Sequence, residues 1–199
     1  RTECETDVLA ALVDNQLKEL SFKALTTHNV RFIGYDHPDG RRTYIRSLCF
    51  VLQNVIREMY PDKVLAIDYS LPSGLYCEIR EKDELYDGRP KVYFATDDEI
   101  EKIQNRMKEI IQSDLPFKKT KQTLEDAVKL FESNGQKEKV NLARSLGRIS
   151  YSVYFLDGQA DTFHGPLTPS TGYLKTFDLS GFNNGFCLHY PMDGSYGKA

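Results

Sequence analysis

The sequence predicts an α+β protein with its helices grouped in the middle of the chain and strands on both sides. In the central part, apolar residues recur every three or four positions, which is the period of a helix with one buried face. Short runs rich in β-branched and aromatic residues come before and after that part. Proline and glycine separate the runs and mark the turns between them.

A small β unit is predicted at the start of the chain. Residues 8–13 and 17–22 read as strands on either side of an Asp14–Asn15 turn, and 30–33 forms a third short run. The sequence His-Pro-Asp-Gly at 37–40 then predicts a turn that closes the unit.

The clearest helical period covers 45–59 and ends before Pro61, because proline cannot continue a helix. Two strands follow, at 64–69 and 75–79, joined by a Pro-Ser-Gly turn. The charged stretch 82–90 is predicted to be an exposed loop.

A second helix is predicted from Thr96, because Glu99 stands three positions later and completes a capping box. Its buried face consists of Ile100, Ile103, Met107, Ile110 and Ile111. Two more helices are predicted, one from Thr123 to the Asn-Gly pair at 134–135 and a weaker one over 137–146. Strand character returns at 149–155 and again near the end of the chain.

Composition limits the classes of function. The 199 residues are 40% hydrophobic and 28% charged, which is typical of a globular protein with one substantial core. The formal net charge is -3, so contact with nucleic acid requires a local basic patch. No apolar run is long enough to span a membrane. The four cysteines are too far apart for zinc-finger spacing and indicate thiols in a reducing cytoplasm.

Motifs for catalysis are absent from the sequence. It has no P-loop and no dinucleotide-binding glycine motif, and its four histidines stand in no triad pattern. The basic run 118–121 favours a solvated loop over an RNA contact, and both interpretations stay open. The proline- and glycine-rich segment 161–172 is either a pocket wall or an ordered turn.

Four segments together resemble the N-terminal region of threonyl-tRNA synthetases. Residues 8–36 resemble the later part of its β-grasp (TGS) domain, and 44–52 resembles its helix H-S-x-A-H-L-L. Asp-Leu-Pro-Phe at 114–117 matches its D-L-P-F segment, and 161–171 is similar to its loop D-L-C-R-G-P-H-V-P-N-T.

The resemblance implies two domains. A partial TGS-like β-grasp segment is expected at 1–37, and a degenerate editing-like domain, an antiparallel sheet with packed helices, at 38–199. The family's metal-like cluster uses two helix histidines and a loop cysteine and histidine. All four are replaced in this chain, at Arg46, Phe50, Phe163 and Leu167. The resemblance therefore implies no catalytic and no metal site of that design, because phenylalanine and leucine carry no lone pair.

Four polar residues remain as candidates for a remnant cleft: Ser47, Asp161, His164 and Thr171.

The chain also resembles the segment that precedes the P-loop domain in bacterial uridine kinases of the phosphoribulokinase/uridine kinase family. That resemblance implies a non-catalytic recognition or regulatory module of a cytoplasmic nucleoside kinase, a transferase. Its kinase domain would follow Ala199, be the module's partner, and bind ATP and magnesium.

Two alternatives are kept beside the kinase module. The first is a module that binds tRNA or another structured RNA, or a small nucleotide, through five basic residues: Lys118, Lys119, Lys121, Arg144 and Arg148. The second is a residual aminoacyl-tRNA hydrolase in which His164 is the base and Asp161 orients it.

Overall fold

The computed structural model describes residues 7–86, 89–133, 137–146 and 150–192. The helices of this part are α1 (Pro38–Met59), α2 (Asp97–Gln112), α3 (Leu124–Ser133) and α4 (Lys137–Leu146). The first six strands are β1 (Ala10–Val13), β2 (Gln16–Lys18), β3 (Val30–Ile33), β4 (Lys63–Leu71), β5 (Gly74–Tyr86) and β6 (Arg89–Tyr93). The other five are β7 (Lys118–Thr123), β8 (Ser150–Leu156), β9 (Gln159–Asp161), β10 (Asp178–Phe182) and β11 (Gly185–His189). A single 3-10 turn covers Thr171–Tyr173.

The α+β arrangement is confirmed, with antiparallel sheets before and after the helices. The N-terminal β unit is a three-stranded sheet of order β2-β1-β3. The tight β1–β2 turn is formed by Asp14 and Asn15, both with positive φ, as the sequence predicts.

Helix α1 begins seven residues earlier than the apolar stripe indicates, so the expected turn at 37–40 is wrong. His37 is the N-cap, and its Nδ1 accepts a hydrogen bond from the Asp39 amide at 3.1 Å. Pro38 occupies the first turn, where its missing N–H costs nothing, and Asp39 complements the positive end of the helix dipole. Gly40 allows this turn to pack directly on the backbone carbonyl of Gly34.

The central sheet has the order β10-β11-β5-β4, and β6 pairs with the far end of β5. The main hydrophobic core lies between this sheet and helices α1 and α2. The loop expected at 82–90 is wrong, since β5 continues to Tyr86 and β6 begins at Arg89. The charged residues there belong to a two-stranded extension, whose faces tolerate polar side chains.

Helix α2 matches its prediction. The Thr96 hydroxyl accepts from the Glu99 amide, and the Glu99 carboxylate accepts from the Thr96 amide at 2.9 Å. The apolar stripe predicted for this helix is its buried face.

The third sheet has the order β7-β8-β9, and a second core lies between it and helices α3 and α4. The loop expected at 118–121 is wrong: these residues form β7, which pairs with β8 along its whole length. Pairing with an apolar neighbour therefore supplies the strand that the polar sequence does not indicate. No helix in the described ranges combines the length and apolar character needed to cross a membrane.

Candidate functional site

One face of helix α1 contacts the segment that contains β9 and the loop after it. Arg46, Phe50 and Arg57 lie on this face because they are spaced by about one or two helical turns. Arg46 Nη1 donates to the Pro166 carbonyl at 2.5 Å, and Arg57 Nη2 donates to Asp161 Oδ2 at 2.9 Å. The helix therefore fixes the loop at both of its ends.

The four positions where the resemblance places a metal-like cluster come together in this contact. The rings of Phe50 and Phe163 lie 5.1 Å apart, and Phe50 is fully buried. Leu167 is 2% exposed and belongs to the same core, next to the residue that Arg46 binds. The space between the helix and the loop is filled by apolar side chains.

The Arg46 guanidinium lies against the loop backbone. Burial lowers the pKa of Arg46, whose side chain donates its hydrogen bond to the Pro166 carbonyl from within this contact. A Cβ at Gly165 would lie 2.6 Å from Arg46 Nη1, and Gly165 has a φ of +139° that side chains rarely adopt. Glycine at 165 is therefore required for the arginine to clamp the loop.

Two of the remnant-cleft candidates are structural anchors. Ser47 is buried, and its hydroxyl accepts a hydrogen bond from the Thr168 amide at 2.8 Å. Thr171 is also buried: its hydroxyl accepts from the Leu115 amide and donates to the Ile110 carbonyl, both at 2.9 Å. Both side chains satisfy buried backbone groups, and neither lies among the residues that line the groove described below.

The other two candidates differ in burial. Asp161 is fully buried and forms ion pairs with Arg57 and Lys139, so it also differs from a cleft residue. His164 is exposed and lines a groove. Within the part of the chain that the structure describes, no hydrogen bond joins His164 to Asp161. The base and orienter of the hydrolase alternative are therefore not assembled.

The groove that His164 lines has a volume of about 1070 Å³. Its walls are β2 with the residues after it, β7, helix α4, and the loop segment 162–166. Its basic residues are Lys18, Lys118, Lys119, Lys121 and Lys139, together with His164. Its phenylalanines are Phe22, Phe117, Phe131 and Phe163.

The charge of the groove is opposite to that of the chain. Five lysines line it, and among the described residues Glu19 is the one acidic side chain that does so. Lys118 and Lys121 are exposed, and no acidic partner contacts either of them within the described ranges. A chain of net charge -3 thus carries a local basic patch, which is the condition that composition sets for nucleic-acid contact.

The five RNA-contact candidates separate in the structure. Lys118, Lys119 and Lys121 all line the groove. Arg144 does not line it and pairs with Glu132 at 2.8 Å, and Arg148 lies outside the described residues.

Sequence reasoning did not single out Lys18, Phe22 or Lys139, which also line the groove. They come from the N-terminal unit and from α4, and no local pattern connects these segments to β7.

Three of the four thiols belong to the part of the chain that the structure describes. Cys49, Cys77 and Cys187 are free, and Cys4 lies outside the described residues. Burial raises the pKa of the Cys77 thiol, which keeps it protonated and unreactive. Among the described side chains, no group of three His, Cys, Asp or Glu lies close enough to share a metal ion.

No family model matches the chain. It is similar to threonine–tRNA ligases: 29% identical over 174 residues to that of Carboxydothermus hydrogenoformans, which is 87% of this chain and 26% of the ligase. The ligase of Acetivibrio thermocellus is 29% identical over 172 residues, and that of Clostridium kluyveri is 28% identical over 172. Each match covers 86% of this chain. The chain thus spans about a quarter of the length of these relatives, and the match falls in their N-terminal region.

Proposed function

We propose that this chain is a tRNA-binding module that holds an RNA end in the basic groove and does not hydrolyse it. The observation that carries the proposal is the concentration of five lysines on one groove of an otherwise acidic chain. Exposed lysines on an edge strand are placed to neutralise successive phosphates of a nucleic-acid backbone.

Aromatic residues in the same groove supply the second half of the recognition. Phe22 is 43% exposed, and Phe117 and Phe163 are half-buried in the groove wall. Unpaired bases stack on such rings, and a groove that combines stacking rings with lysines is typical of single-stranded nucleic-acid binding. This combination favours the single-stranded end of an RNA over its duplex part.

The relatives support tRNA as the class of RNA, because their name states that they ligate threonine to tRNA. None of the relatives reported above is a kinase, so the tRNA alternative is preferred to the kinase module. The kinase domain after Ala199, with its ATP and magnesium, stays a prediction about sequence outside these 199 residues. The division into a TGS-like segment (1–37) and an editing-like domain (38–199) is part of this proposal.

The non-hydrolytic part of the proposal rests on packing. At the positions of the family's cluster, Phe50 and Leu167 are core and Phe163 packs on Phe50. Arg46 is a permanent cation bonded to the loop, and a cation at that place repels a metal ion. The basic groove therefore supports binding of RNA without metal-assisted hydrolysis.

The test is a titration of a fluorescently labelled tRNA transcript, followed by anisotropy at several salt concentrations. The double variant Lys118→Ala/Lys121→Ala removes the two exposed β7 lysines that contact no acidic side chain among the described residues. It is expected to weaken binding about tenfold at ~0.1 M salt and to reduce the salt slope by about 1.4, the value for two single-strand phosphates. The matched control is Lys102→Ala/Lys108→Ala, which changes the charge equally on the exposed side of α2.

Equal affinities for the two double variants would contradict the groove as the binding site. Absence of binding by the wild-type chain at about 50 mM salt, where phosphate contacts are strong, would contradict RNA binding altogether.

A further inference from the structure

Glu19, directly after β2, places a carboxylate inside the basic groove. Its Oε1 lies 2.7 Å from Lys119 Nζ and also accepts a hydrogen bond from the Tyr154 hydroxyl. The Glu19 side chain is only 16% exposed. An acidic side chain thus occupies the middle of a surface that otherwise attracts anions.

The partners of Glu19 are those that a phosphate oxygen would use. Lys119 supplies a positive charge, and its Nζ also lies 5.2 Å from the centre of the Tyr154 ring. Tyr154 supplies a hydroxyl donor, and burial together with the bond to Glu19 raises its pKa, so the hydroxyl keeps its proton. A cation beside a hydroxyl donor binds carboxylates and phosphates alike through charge-assisted hydrogen bonds.

Little else holds this part of the chain over the groove. In the described part of the structure, the contacts of Glu19 are the only hydrogen bonds and ion pairs that join 16–29 to β7, β8 or 162–166. The remaining polar contacts are internal to the N-terminal unit: Phe22 N donates to Glu19 O at 3.0 Å, and His28 pairs with Asp14 at 2.6 Å. Loss of the Glu19 contacts with Lys119 and Tyr154 would therefore remove the polar contacts that hold 16–29 against the groove.

We infer that Glu19 is a built-in competitor of RNA: its carboxylate occupies the Lys119–Tyr154 anion position, and a phosphate must displace it to bind. The inference rests on the proposed function and adds its regulation. RNA binds only those molecules in which Glu19 has left Lys119 and Tyr154. The apparent affinity for RNA is therefore the intrinsic affinity multiplied by the fraction of molecules in this open state. The segment that carries Ser21 and Phe22 moves when Glu19 leaves, which changes the mouth of the groove.

The test compares E19Q with E101Q in the tRNA titration. Glutamine keeps the size of the side chain and removes its charge, and Glu101 is exposed on α2 and does not line the groove. E19Q is expected to tighten binding about three- to tenfold, whereas E101Q changes it less than about twofold, because only Glu19 competes for the site. Amide hydrogen exchange without RNA is expected to be faster over 16–29 in E19Q than in the wild type.

A second background separates competition from simple charge repulsion. In Lys119→Met the contact partner is gone, so adding E19Q is expected to produce a clearly smaller gain than it does in the wild type. An equal gain in both backgrounds would overturn the inference, as would tighter binding with unchanged exchange over 16–29.

The failure of the inference is distinguishable from the failure of the proposed function. If the wild type binds tRNA and E19Q behaves like E101Q, or binds more weakly, the competitor role is wrong and RNA binding stands. If neither the wild type nor E19Q binds tRNA at low salt, the proposed function fails and the competitor role fails with it.

Discussion

The loop after β9 has two sides with opposite characters. Toward α1 and α2 it presents Leu167, which is buried in the main core, and Thr171, which is buried and hydrogen-bonded to the Ile110 carbonyl. Toward the groove it presents His164, which is exposed, beside the lysines of β7. The inner side is held by apolar packing and hydrogen bonds, and the outer side is exposed to solvent.

This difference separates a packed region from an exposed basic surface within one loop. The positions that carry metal-like ligands in the resembling family lie at this contact with α1, where the buried Phe50 packs against one side of Phe163, and Phe163 also forms part of the groove wall. The basic positions lie on the outer side, where a substitution costs little stability. We therefore expect substitutions on the inner side of the loop to lower the free energy of unfolding, and substitutions on the outer side to lower the affinity for tRNA.

The largest effect is expected from Phe50→Ala. Removing a fully buried ring leaves a cavity between α1 and the loop, so the free energy of unfolding should fall by about 3–5 kcal/mol. Urea unfolding measures it, with Leu85→Ala as the control because Leu85 is 69% exposed. A loss below about 1 kcal/mol would mean that the inner side is not a packed core.

Asp161→Asn is expected to cost somewhat less, about 2–3 kcal/mol, because it leaves Arg57 and Lys139 without their shared counter-ion. The matched control is Asp36→Asn, on an exposed position. If the two variants unfold at the same urea concentration, the buried ion pairs do not hold the loop.

Thr171→Val should lower stability by about 1–3 kcal/mol, since the Leu115 amide and the Ile110 carbonyl both lose a partner. Thr171→Ser keeps the hydroxyl and is expected to recover most of the loss. Equal destabilisation by valine and serine would assign the effect to the methyl group and not to the hydrogen bonds.

The smallest effect on stability is expected from His164→Ala, within about 0.5 kcal/mol, because this side chain is exposed. Its effect on the tRNA titration should be a loss of about two- to threefold, typical of one peripheral contact at the groove. A large decrease in the free energy of unfolding would mean that His164 belongs to the packed inner side of the loop.

Much of the fold follows from local sequence. The capping box at Thr96 and the apolar stripe of α2 are patterns within one element, and both appear as predicted. The elements that were missed depend on partners far along the chain. Lys118–Thr123 has no apolar alternation and becomes a strand because it pairs with β8, about thirty residues later.

The candidate site was predictable only in part, for the same reason. Lys118, Lys119 and Lys121 were recognised as a basic run, because they are adjacent in sequence. The groove is formed by segments far apart in sequence, because residues 17–22 lie opposite β7, about 100 residues later, and α4 forms a further wall. No spacing rule in the sequence connects these segments. The anchoring roles of Ser47 and Thr171 were also not predictable, because their hydrogen-bond partners lie far away in the sequence.

We propose that RNA occupies the outer side of the loop while the inner side stays closed. The most direct measurement is the amide hydrogen-exchange footprint of a tRNA transcript on the whole chain. We expect slower exchange at 118–121 and 162–166, faster exchange at 16–29 as Glu19 is displaced, and no change in β4. Protection confined to β4 or to other surfaces remote from the groove, or no protection at saturating tRNA, would contradict it.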